Sequence, residues 1–133
     1  MTRALINPAE SKAMYDSFHF SQATRVGDMV WVSGQVGLDA GLRPGKGLTD
    51  QARLAFGRLK LVLEAAGASL GDVVELITFH MDLRGGAAEF GKVKDEFFPN
   101  SYPSWSAVGV TQLAMPELLV EVRAVAVVGS ALP

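Results

Sequence analysis

Over residues 102–128 the chain alternates between apolar and polar positions in a way that sets expectations for the whole molecule. Leu118, Val120, Val122, Ala124, Ala126 and Val128 fall on one face of an extended run. Leu119, Glu121, Arg123, Val125 and Val127 fall on the other, because side chains alternate along a strand. A strand apolar on one face and mostly apolar on the other is expected to be covered on both sides. The β-rich run 102–110 precedes it, and a short connection containing Pro116 joins the two, which predicts a hairpin. On that register position 107 lies opposite 121 and 105 opposite 123. Trp105 and Arg123 would then share a face, close enough for a cation–π contact.

Earlier in the chain, residues 1–17 show no clear period and read as an arm over the surface. Residues 18–26 and 28–33 read as two strands turning at Gly27-Asp28, with Met29, Trp31 and Ser33 on one face and Val30 and Val32 on the other. A loop carrying four glycines and Pro44 follows, from Gly37 to Gly47. Ala52, Ala55, Phe56, Leu59, Val62, Leu63 and Ala66 then recur at three- and four-residue steps, which predicts a helix with one buried stripe. Thr49 or Asp50 is its expected N-cap and Gly67 its stop. Residues 73–81 read as a strand, and Gly85-Gly86 opens a shorter helix with Phe90, Val93 and Phe97 on its buried edge and Pro99 beyond it.

The expected order is strand, strand, helix, strand, helix, strand, strand. Two helices can cover only one face of a five-stranded sheet. Several strands are apolar on both faces, so the second face is expected to meet another copy of the chain.

Composition narrows the class. At 133 residues the chain forms one domain, 1–133, large enough for an ordinary core. Cysteine is absent, which removes disulfides, thiolate metal sites and cysteine nucleophiles. The formal net charge of −2, with no run of Lys or Arg, argues against a nucleic-acid surface. No signal-peptide pattern and no membrane-length apolar run occurs, so a cytoplasmic protein without membrane contact is expected.

Chemical motifs are few. His19 and His80 stand in no HxxxH or HExxH arrangement, and His80 reads as a satisfied residue within a strand. No metal and no cofactor is expected. Gly45-Lys46-Gly47 lacks the length and hydroxyl of a phosphate loop. Three clusters carry more: Ser33-Gly34-Gln35, Tyr102 to Val110, and Val120-Glu121-Val122. A glycine after a strand serine frees backbone N–H groups for a ligand's oxygens. A carboxylate in an apolar strand is costly unless paired or lining a site, where it acts as acid or base.

These residues, together with Asn7-Pro8, Phe20-Ser21-Gln22-Ala23, Gly27-Asp28, Gln51-Ala52-Arg53, Ala65-Ala66-Gly67, Asp72-Val73-Val74 and Tyr102-Pro103, stand in the order of one known family. The chain resembles the RidA/YjgF group, also called the endoribonuclease L-PSP family, over nearly its whole length. The resemblance implies an α+β fold of chorismate-mutase-like type, a mixed sheet backed by two helices. It also implies a homotrimer with three small-molecule clefts between subunits. Well-studied members hydrolyse reactive imines and enamines such as 2-aminoacrylate. An arginine after Tyr/Phe-Pro-Ala grips the substrate carboxylate, a glutamate in the last strand handles water, and a tyrosine and a Ser-Gly strand end line the cleft.

Glu121, Ser33 and Gly34 match this pattern. The arginine's place is taken by Trp105, followed by Ser106 and Ala107, and the tyrosine's by Phe20. The helix after Asp82-Leu83 departs from the family spacing, and nothing here is matched to the family's cleft asparagine. Trp105 has one donor and no charge, so it cannot replace a guanidinium fork. Its loss forfeits about 1.5–3 kcal/mol per charged hydrogen bond. Glu121 is therefore the expected catalytic residue, with Phe20, Ser33, Gly34, Trp105, Ser106, Ala107 and Arg123 as ligand contacts. Arg123 has two readings, an ordinary surface charge or a displaced carboxylate anchor. The expected function is a divergent imine or enamine hydrolase whose substrate is not 2-aminoacrylate. The alternative is a trimer that binds a small aromatic or apolar metabolite without turnover. An endoribonuclease ranks third, because the acidic balance offers little to phosphates.

Overall fold

In the computed structural model, which describes residues 1–133, β1 (Ala4–Ile6), β2 (Ala23–Val26), β3 (Met29–Val36), β4 (Val73–His80), β5 (Ser104–Gly109) and β6 (Val120–Val127) form one mixed sheet. Its order is β1-β2-β3-β6-β4-β5. α1 (Lys12–Phe18), α2 (Gly47–Ala65) and α3 (Leu83–Phe97) complete the chain. The α+β class and the mixed sheet agree with expectation. α2 and α3 pack on one face of that sheet, through a core containing Phe56, Leu59, Leu63, Phe90, Val120 and Val122.

The stripe expected for α2 is the buried one, Ala66 included. Gly67 follows at φ +83°, the left-handed conformation that lets the chain leave a helix without a Cβ clash. The cap differs from expectation. Lys46 stands at the N-cap, and Thr49 and Asp50 lie within the first turn. α3 likewise starts at Leu83, two residues before the glycine pair, because the Asp82 side chain accepts the Gly85 N–H and caps it.

Four further expectations need correction. Residues 1–17 are not a plain arm: they hold β1, a turn of 3-10 helix (Ala9–Ser11) and α1, so the sheet has six strands and the chain three α-helices. The strand expected over 18–26 begins only at Ala23, since Phe18 closes α1 and His19 turns out of it at φ 61°. The next strand extends past Ser33 to Val36, across an irregularity between Val32 and Gln35.

The fourth correction concerns the hairpin. β5 and β6 are not neighbours. β5 pairs in parallel with β4, joined through α3, while β6 lies antiparallel between β3 and β4. Trp105 therefore sits beside Leu76 and Arg123 beside Ile77, on opposite faces. They share no cation–π contact. The doubly apolar β6 has hydrogen-bonded neighbours on both edges, with one face buried and the other half-buried, and the serine-bearing β5 is an outer strand. No helix is long and apolar enough to cross a membrane.

Candidate functional site

The face of the sheet away from α2 and α3 holds an open cleft of ≈ 410 Å³. Its lining includes Trp31, Ser33 and Gly34 from β3, Phe79 from β4, and Glu121 and Arg123 from β6. Strand register explains the meeting. Phe79 and Val36 flank Glu121, and Trp31 pairs with Val125 on the same side of the sheet.

The Ser33-Gly34 segment is held from behind. Ser33 donates its hydroxyl to Ser21 O at 2.7 Å and its N–H to Gln22 O at 2.8 Å. The buried Gln35 side chain donates to Gln22 Oε1 (3.0 Å) and Ser33 O (3.1 Å). Asn7 accepts the Gln22 N–H at 3.1 Å, which extends the scaffold into the N-terminal segment. At Gly34 any Cβ would collide with the Glu121 carboxylate, so glycine is what lets that side chain lie against the strand.

The start of β6 has its own support. Gln51, buried on α2, accepts the Leu119 N–H at 2.7 Å and donates to Glu117 O (2.9 Å) and Gly45 O (3.1 Å).

Glu121 is half-buried. Burial raises its pKa above the ordinary carboxylate value, and the Arg123 charge pulls in the other direction with less effect. No ion pair joins the two. Arg123 Nε is sealed from solvent and has no acceptor in the chain, the one such side-chain atom in the molecule. A carboxyl raised in this way takes and returns protons nearer neutrality, beside a guanidinium that still lacks a partner.

Of the residues expected at a site, Ser33, Gly34, Glu121 and Arg123 come together here. Phe20 lies in the bend between α1 and β2, outside this lining, and Trp105, Ser106 and Ala107 lie on β5. Thr24, Trp31 and Phe79 were not singled out from the sequence, since their membership follows from which strands are neighbours.

Trp105 belongs to a second cluster, on the helix-covered side at the β5 edge. Its Nε1 donates to Thr78 Oγ1 at 2.9 Å, and Thr78 Oγ1 lies 2.7 Å from His80 Nε2. An indole only donates, so the hydroxyl accepts from Trp105 and has His80 as the outlet for its own proton. That assigns the acceptor role to Nε2 and the ring proton to Nδ1. Burial lowers the His80 pKa and keeps the ring neutral, and Phe90 packs edge-on at 4.6 Å. His80 is thus a satisfied strand residue, as expected. Lys94 of α3 places Nζ 4.7 Å from the centre of the Trp105 ring.

No group of three His, Asp or Glu side chains lies together in a way that would hold a metal ion. A larger hollow of ≈ 470 Å³ lies between α1 and α2, lined by Met14, Leu38, Leu54 and Leu61 with Glu10 and Arg58 at its rim. Its lining is mainly apolar, and the Asp39 carboxylate at its wall is already held by the Gly41 and Arg43 backbone N–H groups, both at 2.9 Å.

Comparison with known proteins agrees with the fold and its length. The family model described as Endoribonuclease L-PSP matches residues 10–128. The RutC family protein YjgH of Escherichia coli K12 is 39% identical over 113 residues, 84% of this chain and 86% of that protein. A solved structure of YjgH superposes with a TM-score of 0.86 at 36% identity, covering 96% of this chain and 98% of the other. The 2-iminobutanoate/2-iminopropanoate deaminase of Dermatophagoides farinae is 38% identical over 98 residues, 71% of this chain and 74% of that one.

Proposed function

Because the chain belongs to the endoribonuclease L-PSP family, also known as RidA/YjgF, we propose that it hydrolyses a reactive imine or enamine to a carbonyl compound and ammonia. The observation that carries this reading is Glu121, a half-buried carboxyl with a raised pKa that rests on Gly34 in an open cleft. A relative named as a 2-iminobutanoate/2-iminopropanoate deaminase supports the reaction class.

The chemistry starts from a protonated imine, which an enamine reaches by taking a proton at carbon. Water adds to the imine carbon while its proton passes to the Glu121 carboxylate, which leaves a neutral carbinolamine. Glu121 then returns that proton to nitrogen. The C–N bond breaks, the hydroxyl oxygen forms the carbonyl, and the hydroxyl proton leaves through the carboxylate. Iminium and water have become carbonyl and ammonium. One carboxyl serves as base and acid in turn, which favours a pKa raised toward neutrality. The Ser33 N–H is spent on Gln22 O, so the backbone at Gly34, against which the Glu121 carboxyl rests, is what borders the reacting water.

The substrate differs from 2-aminoacrylate. Trp105 stands where the family pattern has its carboxylate-gripping arginine, and its one N–H is engaged by Thr78. Trp31 and Phe79 supply apolar walls for a less polar substrate. The working form is a homotrimer with its clefts at subunit boundaries, supported by the apolar sheet face that α2 and α3 leave open.

A coupled assay settles the reading: imines and enamines generated in situ, 2-aminoacrylate among them, with release of ammonia followed. Turnover of at least one apolar imine is expected, with little on 2-aminoacrylate. Glu121→Gln should lower kcat/KM by about 10²-fold or more. If no imine is consumed above its spontaneous rate, the same cleft is a binding site for an apolar metabolite and the hydrolase reading fails.

A further inference from the structure

We propose that the hollow between α1 and α2 is a binding site for a free α-amino acid with an apolar side chain. Four charged side chains line that hollow, and two of them are already engaged. Arg53 holds Glu96 through two hydrogen bonds, and Asp39 accepts the Gly41 and Arg43 N–H groups. Glu10 and Arg58 remain. Neither side chain forms an ion pair, with the other or with anything else in the chain, and neither makes a hydrogen bond. Arg58 is half-buried, where an uncompensated charge costs more than at the open surface. A molecule that carries both charges on one carbon answers both at once.

The amino end has a recess of its own. Glu10, Arg58 and Leu61 also border a side pocket of ≈ 30 Å³, room for one water-sized group such as an ammonium. Its wall includes Gln35, which is only 2% exposed. The Gln35 amide nitrogen donates to Gln22 Oε1 and Ser33 O, and a backbone carbonyl only accepts, so Oε1 is turned away from both. That oxygen accepts nothing within the chain. It is nonetheless not sealed, since the only sealed and unpartnered side-chain atom is Arg123 Nε. A free acceptor on a buried side chain, opening on a water-sized recess beside a carboxylate, fits an ammonium. Arg58 would repel a bare amine there, and the carboxylate of an amino acid turns that neighbour into a partner.

The side chain of the ligand goes into the larger hollow. At ≈ 470 Å³ it is of small-molecule size, walled by Met14, Leu38, Leu54 and Leu61. Leu61 is 55% exposed and Leu42, in the same lining, 54%, so apolar surface stands in water that a ligand would cover. The site lies apart from the Glu121 cleft and needs no turnover there.

Calorimetric titration with L-leucine tests this, beside 4-methylpentanoate, which lacks the amine, and L-leucinamide, which lacks the carboxylate and resembles a peptide N-terminus. Leucine should give a saturable heat, and each analogue should bind about tenfold more weakly or worse. Arg58→Met should raise the leucine Kd by about tenfold or more, and Glu10→Gln by about threefold or more. Gly57 lines the hollow, and a Cβ there meets nothing within 4 Å, so Gly57→Leu should fold, fill the space and abolish binding. Gly57→Leu and Glu10→Gln carry the comparison if Arg58→Met does not fold. Glu121→Gln should lose imine turnover and bind leucine as the parent does. The site is overturned if leucine gives no saturable heat, which would leave the recess to a water molecule. It is overturned equally if Gly57→Leu binds leucine like the parent, or if either analogue binds as tightly as leucine. Weakening by Glu121→Gln alone would put the amino acid in the other cleft and would also end the proposal.

Discussion

In the proposed reaction Gly34 and Glu121 act together, and each makes a measurable demand. The Cβ of Gly34→Ala would occupy the space of the Glu121 carboxylate, which would have to swing aside. The variant should fold and lose about 10²-fold in imine turnover, because a displacement near 1 Å at a reacting group costs that much. Circular dichroism beside the assay separates this from unfolding. Glu121 itself should destabilise the native state at neutral pH. Its folded pKa is raised above the unfolded value by burial, so the protonated form is the one that folding favours. The penalty is absent below the unfolded carboxylate pKa and fully present above the raised one. Glu121→Gln should therefore melt above the parent at pH 7, and the gap should close as the pH falls through the carboxylate range. A gap that widens on acidification would contradict the assignment. Glu121 and Arg123 were legible in the sequence because strand alternation puts them on one face, and Ser33-Gly34 because a glycine follows a strand serine there.

At the scale of elements, α2 was the most readable part, since seven apolar positions at helical spacing leave a single way to bury them. The β5–β6 hairpin was misread for a physical reason. A short connection between two β-rich runs is equally compatible with strands that skip a neighbour, and local pattern does not reveal a third strand between them. Two signals favoured the observed order. A strand apolar on both faces belongs in the middle of a sheet, and a strand–helix–strand sequence such as β4–α3–β5 normally closes in parallel. Loop anchoring was not legible either, because Gln51 meets Leu119 across 68 positions of sequence. Gln51→Ala should remove the partners of the Leu119 N–H and the Glu117 carbonyl, part-buried bonds that contribute about 0.5–1.5 kcal/mol each. Urea unfolding would read that cost, and hydrogen exchange should quicken first at the amides of 118–121.

For the molecule as a whole, the open sheet face sets the expectation. Ile77, Phe79, Val125 and Val127 are only partly buried there, and Trp31 and Val108 are exposed. A lone protomer would present them to water, so light scattering at micromolar concentration should give three times the 14.2 kDa of one chain. A mass of one protomer would sink the trimer.

The central position of β6 also has a consequence for how the protein comes into being. β6 is the last of the six strands to leave the ribosome, yet both β3 and β4 are hydrogen-bonded to it. At about 5–20 residues per second, the stretch from His80 to Val127 takes a few seconds to synthesise. Without β6 the sheet would divide into β1-β2-β3 and β4-β5, each with an unpaired edge open to any extended peptide. The strand that carries the candidate catalytic carboxyl is thus also the keystone of assembly.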